Sequence, residues 1–408
     1  MLRTIRRAEY AELIVLFLLQ GAALATWFVP LSNVLDAHGF AVIKPYAFAA
    51  SAVAAFISPL IFGAMADRHA SPVLVLRGLS LATAIALTLT ITAIRLRLSP
   101  WVVLPLIQLH ALCASPTWSI SSAIVFARLS DAPKEFGPVR AMATLGWMGG
   151  GLLISLLNAD ASPVAGYTGA AIWLVVSGFT FFLPIVEPPK SAERLTWHER
   201  LGLDALTLLR NPDHRVVFIT VALFAIPLCG FYPYTPTHLR ELGLEHTSAW
   251  MSLGQVTEVL AMFSLGVLLT RCRLKWIFAG GLAFGVVRFA LCALDGRAAL
   301  LAGVVLHGCS FTLVFITAQI YLDQRVDASW RARAQALMAL VNGGVGNLIG
   351  YLGTGWWFTL CGGATGERWS RFWGGLSLSV AAVLIYFLAA YRGRTRESAA
   401  AAGGTSAG

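Results

Sequence analysis

Apolar stretches long enough to cross a bilayer recur along almost the whole chain. A helix needs roughly 20 predominantly apolar residues to span a hydrocarbon core. Hydropathy marks such stretches at 13–35, 45–66, 73–94, 101–127, 139–157 and 166–186, and again at 216–239, 248–270, 276–294, 298–322, 334–360 and 372–391. With no water in the membrane core, backbone groups must be satisfied within each segment, so a repeated pattern of this length leaves helices as the consistent structure. The expected fold is therefore all-α and integral to a membrane, with twelve transmembrane helices. Composition agrees: 12% of residues are charged, where soluble domains carry about 25%.

The loops set the orientation. One set carries Arg3, Arg6, Arg7, Arg68, Arg128, Lys134, Lys190, Arg194, Arg200, Arg210, Arg271, Arg273, Lys275, Arg325, Arg331, Arg333, Arg392, Arg394 and Arg396. The opposite set carries Lys44, Arg95, Arg97, Arg240, Arg297, Arg368 and Arg371. Cytoplasmic loops are enriched in Lys and Arg, so both termini and the central linker are expected in the cytoplasm, with the chain in the plasma (inner) membrane. The same rule accounts for the net charge of +10, and no basic face with a DNA-reading fold points to nucleic acid. Arg3, Arg6 and Arg7 before an apolar run resemble a signal peptide. The run continues to Leu35 and many spans follow, so a retained first span is expected.

Four segments follow: a six-helix half at 1–186, a linker at 187–215, a second six-helix half at 216–391, and a disordered tail at 392–408 rich in Ala, Gly, Ser and Thr. Paired halves are typical of secondary transporters, whose substrate sites lie near the midplane between them. The six cysteines are scattered without a C-x-x-C pair, so neither a metal site nor a disulfide framework is expected. No Walker A, G-x-S-x-G or H-E-x-x-H sequence occurs, so the chain reads as a non-enzyme without cofactors.

The span at 248–270 holds Gln255 and Glu258 near its middle. Residues three apart share a helix face. A carboxylate at that depth normally faces a bundle interior or a watery cavity; a structural pairing with an Arg or a backbone group is the plainer alternative. Prolines cluster in CGFYPYTP, 229–236. Pro removes a helical hydrogen bond, so an irregular end of the seventh span is expected, either a moving gate or a bend. Arg288 is expected to snorkel outward or pair with Asp295. Gln108, His110, His307, Gln319, Asn342 and Asn347 are expected mostly to hydrogen-bond between helices. Gly149, Gly150 and Gly151 are expected to serve close helix contact.

GAMADRHASP, 63–72, follows the second span and resembles the G-x-x-x-D-R/K loop of the major facilitator superfamily. Gly63, Asp67 and Arg68 are then expected at a cytoplasmic gate, through charge-assisted bonds between helix ends. PVRAMATLGW (138–147), LGLDALTLLRN (201–211), GQVTEVL (254–260), VVRFALCALDG (286–296), HGCSF (307–311) and RARAQALMALVNGGVG (331–346) resemble the nucleoside:proton symporter family of that superfamily. LGLDALTLLRN is the most distinctive, because a linker has no packing reason to share it.

That resemblance implies a substrate site made by Arg140, Thr144 and Trp147 on helix five and by Gln255 and Glu258 on helix eight. It adds Cys229 and Tyr232, at positions where the family has amides, and Phe311 followed by Thr312, where the family has an Asp. Ribose hydroxyls suit a carboxylate acceptor and guanidinium or amide donors, and a base suits stacking on Trp147 or Phe311. Low-dielectric surroundings disfavour a charged carboxylate, which suits Glu258 to carry the coupled proton. The implied function is proton-coupled uptake of a nucleoside or a similar small polar solute by a monomer. An exporter of apolar or cationic compounds, and a non-transporting sensor on the same fold, are the alternatives.

Overall fold

The computed structural model describes residues 10–58, 71–130, 132–185, 196–327, 330–362 and 368–393. The expected gate residues Gly63, Asp67 and Arg68 lie outside the described residues. Among the described residues, twelve helices are long and apolar enough to cross a membrane: α1 (Ala11–Ala37), α2 (Ala41–Ser58), α3 (Pro72–Arg95), α4 (Pro100–Phe126), α5 (Glu135–Leu156), α6 (Val164–Phe182), α7 (Pro212–Glu241), α8 (Thr247–Arg271), α9 (Leu274–Cys292), α10 (Arg297–Arg325), α11 (Arg333–Cys361) and α12 (Arg368–Ala390). The all-α, twelve-span expectation holds.

Two apolar cores organise these helices. One is built chiefly from α1–α6 and includes Phe48, Leu87 and Trp173; the other is built chiefly from α7–α12 and includes Phe224, Phe289 and Trp373. Large side chains such as Ile85, Phe263 and Ile385 point outward and stay exposed, as a lipid-facing surface requires.

Glycine decides how closely the helices approach. A Cβ on Gly21 would lie 2.0 Å from the Ala143 carbonyl oxygen, and one on Gly146 would lie 2.0 Å from that of Leu18. The backbones of α1 and α5 are thus in contact, as small residues permit in membrane helices. Gly150 and Gly151 serve the same purpose against Ala22 and Ser248, whereas nothing lies within 4 Å of a Cβ on Gly149. Gly146→Ala is therefore expected to lower the detergent-solubilised protein's thermal midpoint, since overpacking costs about 1–3 kcal/mol. Gly149→Ala is the control and is expected to leave the midpoint unchanged. Equal midpoints for the two variants would contradict the contact.

Helix α7 breaks at Cys229–Gly230, between Pro212–Leu228 and Phe231–Glu241, so the proline cluster does interrupt it. The linker departs from expectation. Gly202 adopts a left-handed conformation (φ +67°) with its α-carbon pressed against the Arg333 carbonyl of α11, and Ala205 is fully buried. Arg333 reaches Glu199 at 3.3 Å and Asp204 at 3.9 Å. Thr196 caps the short helix Trp197–Arg200, and its backbone N–H and hydroxyl, followed by Arg333, hold the Glu199 carboxyl below its ordinary value. LGLDALTLLRN therefore has a packing reason: it docks on α11.

Hydrogen bonds joining the first six helices to the last six gather at the end away from this linker. Asp160 accepts from Ser248 N–H at 2.6 Å and from the Thr247 hydroxyl at 3.2 Å, and Asn33 donates to Thr247 at 2.9 Å. Lys44 pairs with Asp36 at 2.7 Å, and both bond Thr237. Ser32 donates to the Pro233 carbonyl.

Candidate functional site

A cavity of about 350 Å³ lies between the two sets of helices, within the roughly 300–1,000 Å³ usual for small-molecule sites. Its walls follow from helical periodicity. Arg140, Thr144 and Trp147 sit at i, i+4 and i+7 on α5, His307, Phe311 and Phe315 at i, i+4 and i+8 on α10, and Gln255 and Glu258 at i and i+3 on α8. Each set forms one stripe. Leu228, Cys229 and Tyr232 come from α7, Asn342, Asn347 and Tyr351 from α11, Trp118 from α4, and Gly21 and Leu24 from α1.

Glu258 is held by its backbone. The α-carbon of Gly308 on α10 packs so tightly against α8 that a Cβ there would lie 2.0 Å from the Glu258 nitrogen. Thr257 donates to the Val305 carbonyl one residue away. The Glu258 side chain is left free to face the cavity, and its carboxylate makes no hydrogen bond among the described residues. Across the cavity the Arg140 guanidinium lies 3.8 Å over the Trp118 ring. Arg140 and Glu258 attract one another electrostatically without forming an ion pair. A cation and a carboxylate thus face one space from opposite sides, each with bonding capacity to spare.

Aromatic rings close the cavity toward the end where the two helix sets are tied. Phe28, Trp147 and Tyr232 meet with centroids 5.1–6.0 Å apart, and Gln255 donates to the Tyr232 hydroxyl at 3.3 Å. Buried Cys229 turns toward α11, its sulfur 3.4 Å from the Asn347 side-chain oxygen. Its thiol is engaged with Asn347 while its side chain lines the wall.

One expected site residue stands apart. Thr312 is fully buried and does not line the cavity. One residue beyond Phe311, it is rotated by about 100° on a helix, and its hydroxyl reaches the Glu258 backbone carbonyl at 3.4 Å. It supports the contact between α8 and α10.

Arg288 corrects a second expectation. It neither snorkels nor meets Asp295, which pairs with His238 at 2.7 Å. Instead it is fully buried, its guanidinium 4.5 and 4.6 Å from the Phe231 and Phe289 rings. It donates to His307 Nδ1 at 2.6 Å. Because guanidinium only donates, that nitrogen must accept, so the His307 proton sits on Nε2. His307 is both an interhelical partner and a wall of the cavity; its spacing of four from Phe311 was the sequence signal for the second role. Asn342 and Asn347 also line the cavity, whereas Gln108 bonds the Ala50 carbonyl between helices as expected. Trp118 and Tyr351 are lining residues that no sequence pattern singled out.

A family model described as Nucleoside H+ symporter matches residues 8–396. The Escherichia coli (strain K12) protein YegT, whose name marks it as an inferred nucleoside transporter, is 32% identical over 339 residues, covering 80% of this chain and 79% of its own. Nucleoside permease NupG of the same organism is 25% identical over 276 residues, 63% of this chain and 66% of its own. A crystal structure of nucleoside transporter NupG superposes with a TM-score of 0.83 at 22% identity, covering 94% of this chain and 99% of that one. The fold is that of the major facilitator superfamily.

Proposed function

The chain belongs to the nucleoside H+ symporter family, and from that premise we propose that it accumulates a nucleoside by coupling its entry to that of a proton. Arg140 and Glu258 carry this reading. They face one cavity from two different helix sets, charged oppositely and not paired. Arg140, Gln255 and Glu258 bind the ribose hydroxyls, Trp147 stacks on the base, Phe311 packs on the sugar side, and Thr144 supplies a hydroxyl at the same level. Glu258 also carries the proton. Bound solute and proton must each interact differently with the inward-open and outward-open forms for transport to be coupled.

The linker end faces the cytoplasm of an inner-membrane protein, following the Lys and Arg bias. The contacts among Asp36, Lys44, Asp160, Thr237 and Ser248 then seal the outer end, and transport proceeds by rocking of residues 1–186 against 216–391 in a protein that works as a monomer. Proteoliposomes given tritiated uridine are expected to accumulate it only under an inward proton gradient. Accumulation that ignores the gradient would remove the coupling, and absence of uptake would remove the nucleoside.

A further inference from the structure

A second chamber of about 320 Å³ adjoins the central cavity, sharing Leu24, Trp118, Trp147, Asn347 and Tyr351 with it. It penetrates the first six helices, between α1, α2, α4 and α6, and its remaining wall includes Trp27, His110 and Trp173. Most of that wall is aromatic or aliphatic. Polar groups of Ser51, His110, Ser115 and Trp173 interrupt it, and two of their atoms are buried without a partner. Among the described residues, His110 Nε2 and Trp173 Nε1 have no hydrogen-bond partner, in residues 8% and 0% exposed. Buried polar groups are nearly always paired, and an orphan calls for a reason. His110 is also edge-on to Trp27, with centroids 6.3 Å apart, so packing fixes its ring.

We propose that this chamber is the base-recognition subsite, occupied by a planar nitrogen heterocycle whose edge bonds His110 Nε2 and the Trp173 N–H. The proposal rests on the nucleoside reading above and deepens it. The polar groups of the central cavity hold the sugar, and the base passes Trp118 and Trp147 to enter the chamber. An indole N–H only donates, whereas a neutral imidazole nitrogen either donates or accepts. The two atoms therefore match the mixed acceptor and donor edge of a nucleobase and leave a purely aliphatic group with unpaired partners. Aromatic walls supply the stacking faces.

The test uses the purified full-length protein in detergent with two readouts. In the first, uridine and adenosine binding is measured for wild type, His110→Phe and His110→Gln. His110→Phe keeps the ring and removes the hydrogen bond, so its Kd is expected to rise at least about tenfold for one or both nucleosides. His110→Gln, which restores a polar edge, is expected to recover part of the loss. In the second, wild-type protein is photolabelled with 8-azidoadenosine, whose reactive group is on the base. Label is expected on His110 of α4 or on the α6 peptide containing Trp173, neither of which lines the central cavity. Label confined to α8 and α10, or an unchanged Kd in His110→Phe, overturns the subsite. If wild-type protein neither binds nor is labelled by any of these nucleosides, the nucleoside reading itself fails and the subsite falls with it. The photolabelling does not depend on a variant folding.

Discussion

Glu258→Gln is expected to abolish gradient-driven accumulation of uridine while sparing exchange of uridine across the membrane. One proton moving down a gradient of one pH unit supplies about 1.36 kcal/mol, enough for roughly tenfold accumulation. The Gln variant cannot carry that proton, so its internal-to-external ratio is expected to settle at one. The substitution is nearly isosteric, and the backbone contact with Gly308 that positions residue 258 does not involve its side chain. The solute can still be held by the neighbouring polar groups, and counterflow is expected to persist. Glu258→Asp, which keeps an acid, is the companion variant and is expected to retain some accumulation. Wild-type accumulation by the Gln variant would remove Glu258 from the coupling step.

Asp160→Ala is expected to open the end sealed in this structure. Asp160 is nearly buried and accepts from Ser155, Thr247 and the Ser248 N–H. Hydrogen bonds to a charged group contribute about 1.5–3 kcal/mol each. The alanine loses several and leaves their donors unpaired, so a net loss of about 2–3 kcal/mol is expected, a shift of roughly 30- to 150-fold in the ratio of closed to open forms. Spin labels at Ala161 and Glu245, which flank this seal from opposite helix sets, give the readout in a cysteine-depleted background. The parent protein is expected to show a short distance, and the variant an added longer one. Identical distance distributions would show that Asp160 does not hold the two sets together.

Much of the candidate site was legible as stripes. Arg140, Thr144 and Trp147 share a face because of their spacing, as do Gln255 and Glu258, and the structure turns both faces to one cavity. Thr312, carried over from a family position without its rotation about the helix, lies off the cavity wall. The linker was misjudged for a different reason: Gly202 and Ala205 pack on α11, a contact across more than a hundred positions of chain. His110 is a single polar residue in an apolar span, and sequence offers no way to tell a bonded histidine from an orphaned one.

The number of spans, their polarity pattern and the polar stripes within them were determined by the sequence alone. Each depends on residues within one or two helical turns and on the thickness of a bilayer, which is the same for every segment. Tertiary structure alone decided that α5 and α8 face each other across one space, that Arg288 is buried against His307, and that an aromatic chamber opens beside the cavity. Those outcomes depend on how closely helices distant in the chain approach, and that distance is set by backbone contacts at glycines such as Gly21, Gly146 and Gly308.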